Sequence, residues 1–386
     1  MRNLNVHNIA DLRLAAKRRL PRGLFDYVDR GTEEGVSMRN NREAFDRVLF
    51  TPQPLVDVAG RSQATTLFGE ACGSPLVIAP TGLAGMLWHE GEIAIAKAAA
   101  AARIPFTLST ASITSIEDVA AKAGGNLWFQ LYMWSKMEMS YELVQRAKNA
   151  GYRTLVVTID SVVNGNREHN RRNGFTIPMR LNARNVIDGA LHPGWTLGVM
   201  GRYMLTTGMP EFANFPAEIR TNLRGNSGKG GVLVPKNESQ SWDDIKRLRD
   251  MWDGPVIVKG ILHPEQARKA VECGAAGIVV SNHGGRTLDG AVAPMQVLPA
   301  IAAAVGDRCT ILLDSNVMRG SDVVKAIALG ADAVMIGRAP LWGAAADGQD
   351  GAALALQILT SEIDRVMAYI GCRSIAEITD HVLYKG

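Results

Sequence analysis

Residues 277–286 read Gly-Ile-Val-Val-Ser-Asn-His-Gly-Gly-Arg, a short apolar run that ends at a histidine, two glycines and an arginine. The run is β-branched and too short for a helix, so it predicts a strand covered on both faces. The glycines allow a sharp turn and a close approach to a ligand. His283 can then accept a proton while Arg286 holds a carboxylate in the same pocket. This stretch predicts an enzyme that acts on a small acid; an ordinary surface loop is the alternative.

The same form recurs along the chain, where apolar runs end in small, polar or charged residues. The eight runs are 76–81, 106–110, 127–132, 154–160, 256–260, 277–282, 310–315 and 333–338. Segments with helical periodicity lie between most of them, at 91–102, 115–123, 140–150, 264–273, 296–305 and 321–329. Eight buried strands that alternate with helices predict a (β/α)8 barrel with its active site at the carboxyl ends of the strands. An open doubly wound sheet is the alternative, but no G-x-G-x-x-G follows any run.

Length and composition fit one barrel of roughly 250 residues with additions. The chain has 386 residues, of which 47% are hydrophobic and 21% charged, and its net charge is +4. This charge is too small to favour nucleic acid as a partner, and no dense basic run or aromatic RNA-binding motif is present. We therefore expect an ordinary folded protein that binds no nucleic acid.

The cysteines and the N-terminus bear on the cellular compartment. The widely spaced Cys72, Cys273, Cys309 and Cys372 lack a C-x-x-C pair and suit buried thiols better than disulfides or a metal site. The basic start lacks the apolar core of a signal peptide, and no run of about 18 apolar residues occurs. We expect a cytoplasmic protein, with a peripheral position on the inner face of the cell membrane as the alternative.

The predicted domains are an N-terminal helical segment at 1–70, which packs on the barrel, and the barrel at 71–386. Helix candidates at 9–20 and 24–28 lie in the first part. Tyr27 falls in the second candidate, where packing is its simpler role. A crossover at 180–240 follows the fourth strand and is much longer than the others, as lids and assembly elements often are.

The middle of this crossover, 191–215, is apolar and aromatic. Its apolar members are Trp195, Leu197, Val199, Met200, Tyr203, Met204, Leu205, Met209, Phe212 and Phe215. Basic residues flank or interrupt it, namely Arg180, Arg184, Arg202, Arg220, Arg224 and Lys229. This pattern predicts contact with an anionic bilayer. Packing within the protein or against a sister subunit is an equal alternative.

Polar side chains stand at the ends of the predicted strands. Alternation directs Gln130 and Tyr132 to one side of the third strand, and Thr158 and Asp160 to one side of the fourth. Lys259 ends the fifth strand, where a buried cation suits an anionic ligand or a developing negative charge.

Phosphate groups of barrel ligands commonly bind at the loops after the seventh and eighth strands. The ends of these strands, near Asp314 and Arg338, therefore predict a phosphorylated cofactor. A surface salt bridge is the alternative role for Arg338. At the first strand, Gly82 could approach a flat ring or simply form a tight turn.

Together these segments resemble the family of FMN-dependent 2-hydroxy acid oxidases and dehydrogenases over nearly the whole chain. The matching segments are Pro80-Thr81-Gly82, Gln130-Leu131-Tyr132, Thr158-Ile159-Asp160, Lys259-Gly260, Ser281-Asn282-His283-Gly284-Gly285-Arg286 and Ile336-Gly337-Arg338. Within the family, segments at 163–168, 191–195 and 208–215 are most similar to bacterial (S)-mandelate dehydrogenase. The crossover of that enzyme associates with the membrane, which favours the membrane alternative here.

The resemblance implies roles for these residues. His283 is expected to accept the proton, Asp160 to stabilise the imidazolium, and Tyr132 to bind the substrate hydroxyl or carbonyl oxygen. The residues expected to hold the substrate carboxylate are Arg286, Arg167 and Tyr27. The residues expected to bind FMN are Pro80, Thr81, Gly82, Ser109, Gln130, Thr158, Lys259, Ser281, Asp314, Ser315, Asn316, Arg319, Gly337 and Arg338, with Lys259 beside the flavin ring.

One loop departs from the family pattern Asp-Gly-Gly-Val-Arg-Arg-Gly, because residues 314–320 read Asp-Ser-Asn-Val-Met-Arg-Gly. Asn316 replaces a glycine but tolerates a positive φ, and Met318 removes a cation near the phosphate. We expect FMN to bind less tightly than is usual, by about 1.5 to 3 kcal/mol for one charge-assisted contact. Arg319 is a candidate to compensate.

The combined expectation is an FMN-dependent (S)-2-hydroxy acid dehydrogenase that oxidises mandelate or another aromatic 2-hydroxy acid to the 2-oxo acid. Gly82, where glycolate oxidase has alanine, favours a membrane quinone over oxygen as electron acceptor. The resemblance also implies a homotetramer. An L-lactate or glycolate oxidase or dehydrogenase is the enzymatic alternative, and a catalytically impaired flavin-binding or assembly protein is the alternative of another class.

Overall fold

The computed structural model describes residues 5–175, 182–216 and 236–385. Near the N-terminus lie helices α1 (Ile9–Arg19), α2 (Arg22–Asp29) and α3 (Val36–Asp46). Asn8 caps α1 by accepting a hydrogen bond from the backbone N–H of Asp11, and Pro21 follows its end. The sequence did not predict α3, because two asparagines and several charged residues hide the small face that it buries.

A closed barrel of eight parallel strands confirms the predicted fold and excludes the open sheet. A short antiparallel hairpin, β1 (Thr65–Leu67) and β2 (Glu70–Cys72), precedes it. The barrel strands are β3 (Leu76–Ile78), β4 (Phe106–Ser109), β5 (Leu127–Tyr132), β6 (Thr154–Thr158), β7 (Val256–Ile261), β8 (Gly277–Val280), β9 (Thr310–Leu313) and β10 (Ala333–Ile336). Most end before the predicted runs do, because the last residues of each run already turn into the loops that carry the site.

Helices surround this barrel. They are α4 (Ala84–Leu87), α5 (Gly91–Ala101), α6 (Ile116–Ala123), α7 (Met137–Asn149), α8 (Glu168–Asn173), α9 (Ala183–Leu191), α10 (Pro193–Trp195), α11 (Arg202–Thr206), α12 (Trp242–Met251), α13 (Pro264–Glu272), α14 (Pro294–Val305), α15 (Gly320–Ala328) and α16 (Arg338–Tyr369). Each predicted inter-strand helix is present, with ends shifted by a few residues. Within α16, Asp347 and Gly348 leave helical geometry, and Gly348 lies against Trp88.

Alternation along the strands builds the barrel interior in layers. The middle layers are apolar and include Val77, Val156, Ile257 and Val279, all fully buried. At the amino-terminal end, Phe68 of the hairpin packs edge-on against Trp128, with 5.7 Å between ring centroids. This end is closed by apolar packing. Thr158, Lys259 and Ser281 lie two positions beyond Val156, Ile257 and Val279, so these polar residues collect at the opposite, carboxyl-terminal end.

The crossover after β6 divides into a buried and an exposed face. A π-helix at Thr196–Gly201 joins α10 to α11. The predicted membrane surface is wrong for part of the segment, because Trp195, Val199, Tyr203 and Phe212 are buried in the protein. The exposed apolar members of the crossover include Leu191, Leu197 and Leu205.

The basic residues of the crossover, the question of a membrane-spanning helix and the cysteines were also considered in the sequence. The basic residues Arg180, Arg220, Arg224 and Lys229 lie outside the described residues. Among the helices described, none is long and apolar enough to cross a membrane. Cys72, Cys273 and Cys372 are buried free thiols, whereas the free thiol of Cys309 is only half-buried.

Candidate active site

A polar layer closes the carboxyl-terminal end of the barrel. Gln130 on β5 is fully buried, where its amide oxygen accepts a hydrogen bond from Ser109 Oγ at 3.1 Å and its nitrogen donates to Thr158 Oγ1 at 3.0 Å. Ser109 and Thr158 face the cavity above the barrel, and Gln130 fixes both of them from behind. The three residues form a floor that presents hydroxyl groups to a ligand.

Lys259 continues this floor. Its ammonium lies 2.8 Å from Asp314 Oδ2 and donates to Ser281 Oγ at 2.8 Å. Burial opposes the charge of Lys259, but Asp314 and Asp160 outweigh it and hold its pKa above the usual value. Lys259 is therefore a fixed positive charge that lines the cavity.

His283 stands above the floor between two partners. Its Nδ1 lies 2.9 Å from Asp160 Oδ1, and its Nε2 lies 3.2 Å from the hydroxyl of Tyr132. Burial lowers the pKa of His283 despite the opposing charge of Asp160. Burial acts to raise the pKa of Asp160, but the interaction with the imidazole of His283 and the positive charge of Lys259 outweigh burial and keep this pKa below its usual value. The imidazole is thus neutral at pH 7, with Nδ1–H donated to the carboxylate, so Nε2 accepts the hydrogen bond from the Tyr132 hydroxyl and is the ring atom that can take up a proton.

The loop after β8 holds His283 in a rare backbone conformation. His283 has φ of 59°, and Gly284 and Gly285 follow with φ of 67° and 69°. Non-glycine residues seldom adopt this region, so neighbouring contacts must hold it. Asn282 provides them by exchanging two side-chain hydrogen bonds with Asn41 on α3, at 2.9 and 2.7 Å. The local sequence does not indicate this role of Asn41, because its partner Asn282 is distant in the chain.

Gly260 is a second residue whose role the sequence did not reveal. Its φ is 111°, and a Cβ atom there would lie 2.6 Å from the Cβ of Asp160. The pairing of β7 with β8 also shifts register between Lys259 and Ile261. Gly260 therefore allows Asp160 to reach His283.

Two arginines and a tyrosine form the opposite part of the cavity lining. The guanidinium carbons of Arg286 and Arg167 lie 5.2 and 5.4 Å from the centroid of the Tyr27 ring. Burial and the neighbouring Arg167 lower the pKa of Arg286 to about 9. Burial acts to raise the pKa of Tyr27, but the two arginines outweigh it and lower the value. A carboxylate ligand would relieve the repulsion between these two cations.

Arg338 begins α16, close to Gly284 and Gly337. Its guanidinium donates to the carbonyls of Gly284 at 2.9 Å and Val28 at 3.2 Å, rather than to a carboxylate in the described part of the chain. Burial lowers the pKa of Arg338 to about 10. A half-buried cation at a helix N-terminus fits a phosphate group.

The loop after β9 bends sharply, because Ser315 and Asn316 have φ of 87° and 66°. Both residues and Met318 line the cavity. Arg319 does not, since its guanidinium pairs with Glu362 at 2.6 Å and is half exposed. Arg319 therefore does not replace, in this structure, the cation that Met318 removes from the site.

Most of the other predicted residues meet at one cavity. Its predicted lining residues are Tyr27, Pro80, Thr81, Gly82, Ser109, Tyr132, Thr158, Arg167, Lys259, His283, Arg286, Asp314, Ser315, Asn316, Gly337 and Arg338. Asp160, Gln130 and Ser281 stand behind and bond to members of this set. The sequence reading missed the apolar Ala111, Met335 and Leu341, which also line it.

Comparison with known proteins agrees with this geometry. The model of the FMN-dependent dehydrogenase family matches residues 16–385. The chain belongs to this family. It is 42% identical to (S)-mandelate dehydrogenase of Pseudomonas putida over 98% of this chain and 94% of that protein. It is also 41% identical to L-lactate dehydrogenase of Azorhizobium caulinodans, over 96% of each chain.

Solved structures of the same family superpose closely. The crystal structure of the monotopic membrane protein (S)-mandelate dehydrogenase matches with a TM-score of 0.91 and 41% identity, over 99% of this chain and 100% of that one. A structure of mandelate oxidase with (S)-2-phenylpropionate matches with a TM-score of 0.82 and 36% identity, over 98% of each chain.

FMN is the cofactor of this family, and the cavity suits it. The hydroxyl and amide groups of the floor and the fixed charge of Lys259 suit a polar flavin ring. The carboxylate of Asp314 can accept bonds from hydroxyl groups of a sugar-like chain, and Arg338 suits the phosphate. When bound, FMN supplies the acceptor for two electrons.

Proposed function

We propose that this FMN-dependent dehydrogenase oxidises an (S)-2-hydroxy acid, mandelate or a similar aromatic acid, to the 2-oxo acid. The observation that carries the proposal is the arrangement around His283: a neutral base between Asp160 and Tyr132, in one cavity with two arginines. A base next to a carboxylate clamp matches a substrate that carries a hydroxyl group beside a carboxylate.

Each residue has a role in this proposal. Arg286 and Arg167 bind the substrate carboxylate, with Tyr27 assisting, and Tyr132 binds the oxygen that becomes the carbonyl. His283 Nε2 accepts one of the two protons that the oxidation releases, and Asp160 stabilises the imidazolium. Lys259 stabilises the negative charge that develops on the cofactor. Ser109, Thr158, Asp314, Arg338 and their neighbours hold FMN.

An aromatic substrate is favoured by small residues on one side of the cavity. Gly82 and Ala111 lie against each other, since a Cβ at Gly82 would be 3.3 Å from the Cβ of Ala111. Both line the cavity, so little side-chain volume occupies this part of it. L-Lactate is the second candidate substrate, because relatives that act as L-lactate dehydrogenases are 40–41% identical to this chain.

Substrate specificity is tested by comparing kcat/KM for (S)-mandelate, (R)-mandelate, L-lactate and glycolate with a soluble quinone analogue as acceptor. We expect (S)-mandelate to give the highest value and (R)-mandelate to be inactive. A preference for L-lactate would keep the reaction and overturn the aromatic substrate. If the FMN-loaded protein oxidised none of the four, the alternative of a catalytically impaired flavin protein would replace the proposal.

The proposed electron acceptor is a membrane quinone, and the proposed location is the inner face of the cell membrane. The exposed leucines of the crossover and the likeness to a monotopic membrane protein support both. Oxygen is the alternative acceptor. Air-saturated buffer should therefore reoxidise the reduced protein far more slowly than the quinone analogue does, and equal rates would contradict the quinone proposal.

A further inference from the structure

Lys236 is a charged side chain at the edge of the candidate active site that has no role in the reaction proposed above. It follows the segment 217–235, which is outside the described residues, but its backbone is held by the barrel. Lys236 forms an antiparallel bridge with Trp134, and the N–H of Asn237 donates to the carbonyl of Met133 at 3.0 Å. Met133 and Trp134 directly follow β5, so the bridge places Lys236 beside Tyr132.

The ammonium group of Lys236 contacts residues next to the reacting groups. It donates a hydrogen bond to Ser161 Oγ, one residue after Asp160, and lies 5.3 Å from the centroid of the Tyr132 ring. The side chain is half-buried. The partner that the structure shows for this ammonium is a hydroxyl, so its charge is not cancelled by direct contact with a carboxylate among the described residues.

The surroundings of Lys236 disfavour the charged form of its side chain. Burial lowers the pKa of Lys236 to about 8, and the positive charge of Arg167 acts in the same direction. Asp160 opposes this shift, and Tyr132 faces the ammonium with its ring. The ammonium is therefore present at neutral pH but is lost within the range in which enzymes are commonly assayed.

A positive charge at this place can act on an anionic substrate. Arg167 and Tyr132 both line the cavity, and Lys236 lies against the ring of Tyr132 and within range of a charge interaction with Arg167. We propose that Lys236 is a specificity-determining residue whose ammonium raises the positive potential beside Tyr132 and Arg167 and thereby tightens binding of the 2-hydroxy acid anion. This inference depends on the proposed function, because the anion is the substrate of that reaction. Lys236 acts on binding, whereas proton transfer belongs to His283.

The sign of the pH dependence follows from this role. Lys236 carries its charge below pH 8 and loses it above, so the dissociation constant of the substrate should rise from pH 7 to pH 9. For a partly screened charge within about one Debye length, we expect a roughly three- to tenfold rise. Substitutions at position 236 separate the contribution of Lys236 from that of other titrating groups.

The test uses the FMN-loaded protein and three variants: Lys236→Met, Lys236→Arg and Lys246→Met. Lys246 is an exposed lysine on α12 and serves as the matched control. Anaerobic stopped-flow reduction of FMN by (S)-mandelate and by L-lactate gives the dissociation constant and the limiting rate for each acid between pH 6.5 and 9. A neutral ligand, phenylacetamide, is compared with the anion phenylacetate by perturbation of the flavin absorbance.

We expect Lys236→Met to weaken binding of the anions roughly three- to tenfold at pH 7, to flatten the change near pH 8 and to leave phenylacetamide unaffected. Lys236→Arg should keep tight binding to higher pH, and Lys246→Met should behave as the native protein. Unchanged anion binding in Lys236→Met, or equal losses for the anion and the amide, would overturn this inference while the proposed function stands. If neither acid reduced FMN in the native protein, the proposed function would fail, and this inference with it.

Discussion

At the scale of single residues, the site depends on one imidazole whose tautomer and charge are set by its neighbours. Asp160 accepts from Nδ1 and leaves Nε2 as the proton acceptor. The sequence predicted His283 and Arg286, because both follow a recognisable strand. It could not predict Gly260 or Asn41, because their roles come from backbone geometry and from a contact between distant segments.

His283→Gln should abolish the base while keeping a side chain of similar size. We expect the limiting rate of FMN reduction to fall by about 10²- to 10⁴-fold. The absorbance spectrum of bound FMN should remain, because His283 is not among the residues proposed to hold it. A rate within threefold of the native value would contradict the proposed base.

The pH dependence of the reaction should report on the pair of His283 and Asp160. The rate should rise with pH as His283 becomes neutral, with an inflection below the ordinary histidine pKa because burial lowers it. In Asp160→Asn the opposing carboxylate is lost, so the inflection should move to still lower pH and the limiting rate should fall. The check is the limiting rate of FMN reduction from pH 4.5 to 9 in both proteins; an inflection that moved upward would contradict this arrangement.

Gly260→Ala should disturb the same pair indirectly. The added Cβ meets Asp160, so we expect the limiting rate to fall at least tenfold while FMN remains bound. Gly151→Ala is the matched control, since Gly151 also has a positive φ, of 80°, but nothing lies within 4 Å of the added atom. Equal effects of the two substitutions on the rate would show that backbone strain, and not the contact with Asp160, is responsible.

At the scale of elements, the strands were predictable because a parallel barrel buries them on both faces. The conformations of the loops were less predictable than the strands. The sequence identified the loop 314–320 as unusual, and its bend at Ser315 and Asn316 agrees with the tolerance of asparagine for positive φ. The side chain of Arg319, however, pairs with Glu362 on α16, a contact between this loop and a distant helix that the local sequence does not reveal.

Met318 lines the cavity where the family pattern has a cation, so Met318→Arg should tighten FMN binding. One charge-assisted contact of about 1.5 kcal/mol corresponds to roughly tenfold in the dissociation constant. Fluorescence titration of the FMN-free protein with FMN measures this constant. Met318→Leu is the control and should leave it unchanged; no gain in the arginine variant would contradict the proposed position of the phosphate.

The crossover was predicted as one apolar surface, but it has a buried and an exposed face. Deleting 191–215 would remove Trp195, Val199, Tyr203 and Phe212 from the core and would test folding more than membrane binding. Substituting exposed leucines avoids this problem, because these side chains contribute little to the core.

The triple substitution Leu191→Glu, Leu197→Glu and Leu205→Glu should reduce membrane binding. Each leucine that enters a bilayer contributes roughly 1.5 to 3 kcal/mol, so the bound fraction on anionic vesicles should fall more than tenfold. The measurement is co-sedimentation with vesicles. Leu288→Glu, at an exposed leucine outside the crossover, is the control. Unchanged binding of the triple variant would contradict the membrane role of the crossover.

At the scale of the whole molecule, the N-terminal helices complete the site that the barrel begins. The carbonyl of Val28 accepts from Arg338, and the carbonyl of Arg30 accepts from Arg286 at 2.8 Å. Tyr27, which also lies on α2, packs its ring against the guanidinium groups of Arg167 and Arg286. The barrel could be predicted from repeated local patterns, whereas these contacts join segments between 140 and 310 residues apart and leave no local signal.

The family resemblance also predicts a homotetramer. Light scattering of the detergent-solubilised protein should then give a protein mass close to four times that of one chain, after subtraction of the bound detergent. A mass equal to one chain, at concentrations at which the protein is active, would contradict this prediction.

The most direct test of the central claim is an anaerobic titration of the FMN-loaded protein with (S)-mandelate. We predict that the flavin absorbance bleaches in proportion to added substrate and that one 2-oxo acid forms for each FMN reduced, while His283→Gln stays oxidised on the same timescale. Native protein that keeps its flavin absorbance with every 2-hydroxy acid tried would contradict the proposed reaction.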